Sequence, residues 1–157
     1  MKTLALTPTP AASKPRAPKR ATLSTGTFAP VSATRSLLAD SIERRMAILN
    51  SADMLTTDQS AELVGMTRVG IVDRIKRGAA IGLIGPKRGF KLPKWQFEPQ
   101  MWQVLPRIIA ALGTVEGWAI YSFMETAHGA LNGQTPRRAV EQGRIDEVLG
   151  LAAAHSI

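Results

Sequence analysis

Apolar residues recur with a helical period along most of this chain. From about Ala33 to Asn50, Leu38, Ile42, Met46 and Leu49 fall on one stripe, with Asp40, Glu43, Arg44 and Arg45 largely off it. The spacing predicts an amphipathic helix with Ser32 as N-cap, its stripe serving either core packing or a dimer seam. Two short helices are predicted next. Thr56 and Gln59 have capping-box spacing, and Ala61, Leu63 and Val64 supply an apolar side. Gly65 marks a turn and Thr67 a new N-cap. Val69, Val72 and Ile75 mark the inner face of a second helix ending at Gly78. Ile81–Ile84 and Phe90–Leu92 then read as brief strands around Gly85-Pro86-Lys87-Arg88-Gly89, a hairpin with a tip of glycine, proline and two cations.

The second half reads as helices throughout. Trp95, Phe97 and Trp102 suit buried anchors between two subdomains, with exposed stacking on nucleic-acid bases as the alternative. Val104, Leu105, Ile108, Ile109 and Leu112 form a strongly apolar helix ended by Gly113, with Pro106 in its first turn. Thr114 with Glu116 starts another helix, packed through Trp118, Ala119, Tyr121 and Phe123, that runs out near Ala127-His128-Gly129. Thr135-Pro136 is a helix start signalled twice, by a capping hydroxyl and by a proline that has no amide to leave unbonded. After Gly143, Ile145, Val148, Leu149 and Leu151 follow at helical spacing.

Composition narrows the picture. With 157 residues, 45% of them apolar, the chain can form one ordinary domain or two small ones. Cysteine is absent, which excludes disulfides, thiol nucleophiles and sulfur-ligated zinc and fits a cytoplasmic setting. No run of eighteen apolar residues occurs, so no membrane span is expected. Residues 1–30 hold five of the ten prolines and five cations without an acid, the composition of a disordered basic arm. Residues 31–52 form the N-terminal helix, 53–97 the helix pair with its hairpin, and 98–157 a small helical domain.

Charge adds the first functional hint. The formal net charge is +8, and residues 68–94 concentrate it: Arg68, Arg74, Lys76, Arg77, Lys87, Arg88, Lys91 and Lys94 face Asp73 alone. Local positive charge points to a phosphate backbone, with a solvated basic face as the plainer alternative. Two short helices joined by a glycine turn form a helix-turn-helix pattern, and a basic hairpin beside the second helix has the geometry of a wing. The expected fold is therefore mainly α: a winged helix-turn-helix with a short β-hairpin, then a small helical C-terminal domain. Candidate DNA contacts are Thr67, Arg68, Arg74, Lys76 and Arg77 on the second helix and Lys87, Arg88 and Lys91 on the wing.

Enzyme chemistry is not visible. Glu125 and His128 at i, i+3 make half a metal site, but there is no second such pair and only one other histidine, His155. No phosphate-cradling or nucleophile-elbow phrase occurs. No catalytic residue, metal or cofactor is expected.

The run Leu55-Thr56-Thr57…Ala61-Glu62-Leu63-Val64-Gly65-Met66-Thr67…Val72…Arg74-Ile75-Lys76-Arg77-Gly78 resembles the winged helix-turn-helix of the excisionase and MerR type. A second run, Trp118…Phe123-Met124…Leu131-Asn132-Gly133-Gln134-Thr135-Pro136…Ala139-Val140…Gly143…Val148-Leu149, is similar to the toxin-binding domain of Xre/MbcA/ParS-type antitoxins. Phe90…Pro93…Trp95-Gln96-Phe97 looks like the linking motif of members with an excisionase-like DNA-binding half. Many relatives have Asn-Pro where this chain has Ala127-His128-Gly129.

That resemblance implies a type II antitoxin. Its partner would be a RES-domain toxin, of a class that uses NAD by degrading it or by transferring ADP-ribose to a protein. The C-terminal domain would cover the toxin's active-site cleft, and the DNA-binding half would repress the shared operon. Carried onto this chain, the toxin contacts are Leu131, Gly133, Thr135, Pro136, Arg137, Gly143, His155 and Ile157. The small apolar chain end from Leu151 suits entry into a groove or a frayed last helix. Expected partners are the toxin, operator DNA and a second copy of the chain. The alternative is a stand-alone winged-helix regulator or excisionase-like protein, with the C-terminal half serving dimerisation.

Overall fold

The computed structural model describes residues 31–156, so the basic arm expected at 1–30 and the candidate contact Ile157 lie outside the described residues. Helix α1 spans Val31–Leu49. Ser32, expected as its cap, lies inside the first turn, where a serine costs little helix propensity. Only the C-terminal end of α1 is anchored: Leu49 is buried, and Met46 and Ile48 pack against the core from its edge. Leu37, Leu38 and Ile42 remain 65, 60 and 62% exposed. The apolar stripe is thus split, with its last turn in the core and the rest exposed among the described residues.

Strand β1 (Met54–Thr56) leads into α2 (Thr57–Val64) through the expected capping box. The Gln59 amide donates to Thr56 Oγ1 at 3.2 Å, and the Thr56 amide donates to Gln59 Oε1 at 2.9 Å. Gly65 ends α2 at φ +65°, a left-handed position where a side chain is strained. Thr67 caps α3 (Arg68–Lys76), its Oγ1 accepting from the Gly70 amide at 3.0 Å. The helix stops at Lys76, two residues before Gly78.

The inward faces of these helices differ from the expected ones. Ala61, Ile71, Ile75, Ala80 and Leu92 form a small core, with Val64 at its edge. Val69 is 77% exposed, Leu63 is also exposed, and Val72 is only half-buried. Two residues along an α-helix correspond to a rotation of about 200°, so burying Ala61 turns Leu63 outward and burying Ile71 does the same to Val69.

The sheet is antiparallel in the order β1-β3-β2, with β2 at Leu83–Ile84 and β3 at Phe90–Pro93. Leu83 pairs with Lys91, and on the other edge Leu55 pairs with Leu92. Strand β1 has no counterpart among the elements read from the sequence. Strand β2 is shorter than expected because Ile81 is otherwise engaged: its amide donates to Gln96 Oε1 at 2.8 Å, and its carbonyl accepts from Gln96 Nε2 at 2.9 Å.

A 3₁₀ turn at Lys94–Phe97 delivers the chain to α4 (Pro99–Leu112). Because α4 begins at Pro99, Pro106 sits in the helix interior rather than in the first turn. Met101, Val104, Leu105, Ile108, Ile109 and Leu112 make α4 the spine of the larger core. Around it pack α5 (Gly117–Glu125), α6 (Pro136–Glu141) and α7 (Ile145–Ala154). Leu49, Met54, Ile81, Leu83 and Trp95 join the same core from the N-terminal side. Glu116 caps α5 by accepting from the Trp118 amide, and Thr114 Oγ1 accepts from the Glu116 amide. The packing face of α5 is Ile120, Phe123 and Met124, with Trp118, Ala119 and Tyr121 half-buried. Among the described residues no single helix is long and apolar enough to cross a membrane.

Candidate nucleic-acid interface

Seven of the eight basic residues of 68–94, all but Lys94, separate into three groups by environment. Arg68, Lys87, Arg88 and Lys91 converge on one cleft of about 290 Å³ between the hairpin tip, the start of α2 and the end of α1. Thr56, Thr57 and Asp58 line the same cleft, and Met46 and Leu49 contribute apolar wall. Four cations thus meet one carboxylate, Asp58, which lies 3.7 Å from Arg68. Both partners are well exposed, so the pair is worth well under 1 kcal/mol and Arg68 is free to exchange it for a phosphate. Asp58 was absent from the sequence-based candidates; its place in the first turn of α2 is the signal that marks it.

Lys76 and Arg77 form the second group, at the C-terminal end of α3. Both are exposed, and Arg77 is ion-paired with Asp73 one turn earlier. Thr67 belongs with neither, since its hydroxyl caps α3.

Arg74 stands alone. Its guanidinium carbon lies 4.1 Å from the centroid of Trp102 on α4, and its Nε is buried without a hydrogen-bond partner among the described residues. Trp102 in turn stacks at a tilt on Phe97, with centroids 5.2 Å apart. Arg74, a candidate DNA contact, is thus half-buried and packs at the joint between α3 and α4.

The C-terminal motif is largely internal. Leu131 and Pro136 are buried, and Thr135 Oγ1 accepts from the Arg138 amide at 3.2 Å as the N-cap of α6. Asn132 and Gly133 take consecutive left-handed conformations, φ +58° and +76°. These turn the chain back so that the His128 amide donates to the Gln134 carbonyl and the Gly133 amide to the His128 carbonyl, both at 3.0 Å. Arg137 donates to Glu125 at 3.0 Å and to Glu141 at 3.1 Å, and its guanidinium lies 5.3 Å from the Trp95 ring. Burial works against the charge on Arg137, and its bonds to Glu125 and Glu141 outweigh that, leaving its pKa above the ordinary value. Arg144 pairs with Glu147 and also donates to Gln134 Oε1 at 3.0 Å, and its hydrogen bond holds the Glu147 carboxyl below the usual glutamate range.

Three of the expected toxin contacts are on the outside: Gly133, Gly143 and His155. His155 packs edge-on against His128, centroids 5.0 Å apart, with Phe123 beside both rings. Helix α5 stops at Glu125, so Glu125 and His128 do not share a helix face, and Glu125 is engaged by Arg137. Among the described residues no group of three metal-ligating side chains exists.

The chain matches no protein-family model, no curated protein and no solved structure.

Proposed function

We propose that the chain is a DNA-binding protein whose residues 53–97 work as a winged helix-turn-helix. Helix α3 enters the major groove, and the β2–β3 hairpin lies along the phosphates as the wing. The observation that carries this reading is the convergence of Arg68, Lys87, Arg88 and Lys91 on a single cleft at the N-terminal end of α3. Such a cleft follows a phosphate backbone, and each neutralised phosphate releases counterions, so affinity falls by about 0.9 logarithmic units per contact for each tenfold rise in salt. The test is the salt dependence of duplex binding. Lys87→Ala with Arg88→Ala is expected to reduce the slope by about 2 and to weaken binding to all sequences alike. An unchanged slope removes the hairpin from the interface.

The wider role we infer is that of a cytoplasmic type II antitoxin. The DNA-binding half represses the operon, and the C-terminal half covers the active site of a RES-type, NAD-using toxin. This rests on the resemblance of the Trp118–Leu149 region; the exposed Gly133, Gly143 and His155 offer that partner a surface. A homodimer within the complex is supported by the apolar stripe of α1, whose Leu38 and Ile42 are exposed among the described residues. Co-expression with the product of the adjacent reading frame tests the role: a complex and loss of toxicity are expected, and the absence of both sinks it. The second reading, a stand-alone winged-helix regulator, is favoured by the internal positions of Leu131 and Pro136 and by the ion pairs of Arg137, which serve the fold itself.

A further inference from the structure

Val69 is the most exposed of the large hydrophobic side chains among the described residues, at 77%. It belongs to neither core cluster. A β-branched residue is also a weaker helix former than alanine, so neither packing nor propensity accounts for valine here. Its place does. Val69 is the second residue of α3, and in a helix-turn-helix the N-terminal residues of the second helix meet the base edges.

Its surroundings specify the partner. Helical spacing puts Val69, Asp73 and Lys76 on one outward face, with Arg68 and Arg77 flanking it. Asp73 is the single acid on that face, and Arg77 already pairs with it. A protein partner covering this valine would have to desolvate the cations around it, which is costly. A DNA duplex lets phosphates take the cations while the valine enters the groove. The thymine 5-methyl is the apolar group that base pairs present in the major groove. The stiff χ1 of valine in a helix holds its two methyls in place with little further loss of entropy.

We infer that Val69 reads sequence by packing against the 5-methyl group of a thymine. This rests on the DNA-binding reading above and goes beyond it by assigning one base preference to one side chain. Because Val69 is largely exposed, Val69→Ala leaves the fold intact.

The experiment is to enrich binding sites from random-sequence duplexes with the full chain, then replace each recurring thymine by deoxyuridine, which removes only the methyl. At one position the unmodified protein is expected to lose about fourfold in affinity, the worth of one buried methyl. Val69→Ala is expected to bind the thymine and deoxyuridine duplexes equally. Binding without dependence on any thymine methyl overturns the inference and leaves the DNA-binding reading standing, as does undiminished discrimination by Val69→Ala. Failure to bind or enrich any duplex overturns both.

Discussion

The guanidinium of Arg74, on α3, lies over the ring of Trp102, on α4, at 4.1 Å from the centroid. This contact joins the helix proposed to enter DNA to the spine of the larger core. A partly desolvated cation–π pair is worth about 1–2 kcal/mol. Arg74→Ala and Trp102→Ala are each expected to lower the urea midpoint, with a coupling of about 1 kcal/mol in a double-mutant cycle. The affinity of Arg74→Ala for DNA should stay closer to that of the unmodified chain than the affinity of Arg68→Ala does. Unchanged stability combined with lost DNA binding would mean that Arg74 swings outward.

Gln96 is fully buried and bridges both backbone polar groups of Ile81. Gln96→Leu leaves that amide and carbonyl unpaired in the interior, at a cost of about 2–4 kcal/mol. Gln96→Glu should be worse near neutral pH, because a carboxylate accepts from the Ile81 amide but donates nothing to its carbonyl and is charged in the core. Urea titration of the three proteins gives the order; equal midpoints would deny the bridge a structural role.

Gly117 opens α5 directly against β2. A methyl added there would lie 2.1 Å from the carbonyl oxygen of Gly82. Backbone cannot move aside as a side chain can, so Gly117→Ala is expected to cost about 3 kcal/mol, the upper part of the overpacking range. Thermal unfolding should show the largest fall in Tm of any glycine-to-alanine change at a negative φ. A loss of stability under about 1 kcal/mol would mean that α5 and β2 separate easily.

Leu37, Leu38 and Ile42 are the exposed large hydrophobic side chains of α1 among the described residues, and Ile42 shares a hollow with Ile84 and Trp118. If this stripe is the seam between two copies, light scattering should give the mass of a dimer, and Ile42→Asp should give a monomer with unchanged helical content. A monomeric unmodified chain would leave the stripe without that use.

Local signals in the sequence were read well. Thr56 with Gln59, Thr67, and Thr135-Pro136 all cap helices at the expected places, since a cap is a hydrogen bond between residues at most three apart. The turn at Gly65 was legible for the same reason. The cations of the hairpin tip were legible because Gly85-Pro86 and Gly89 delimit a loop whatever packs beneath it. Strand β1 was not, because three residues acquire strand geometry only by pairing with Leu92 and its neighbours, far away in sequence.

By itself, then, the sequence determined where the side-chain-capped helices α2, α3 and α6 begin and where charge collects, because both depend on neighbours along the chain. The tertiary structure decided which side of each helix faces inward. Helix α3 carries Val69, Ile71, Val72 and Ile75 around much of its circumference, and no periodicity chooses among them. Contact with Ala61 and Leu92 buries Ile71 and Ile75, and that rotation presents Val69 to solvent. The fate of Arg74 was settled in the same way: the ring that covers it belongs to α4, beyond the hairpin, and only the packed fold brings the two together.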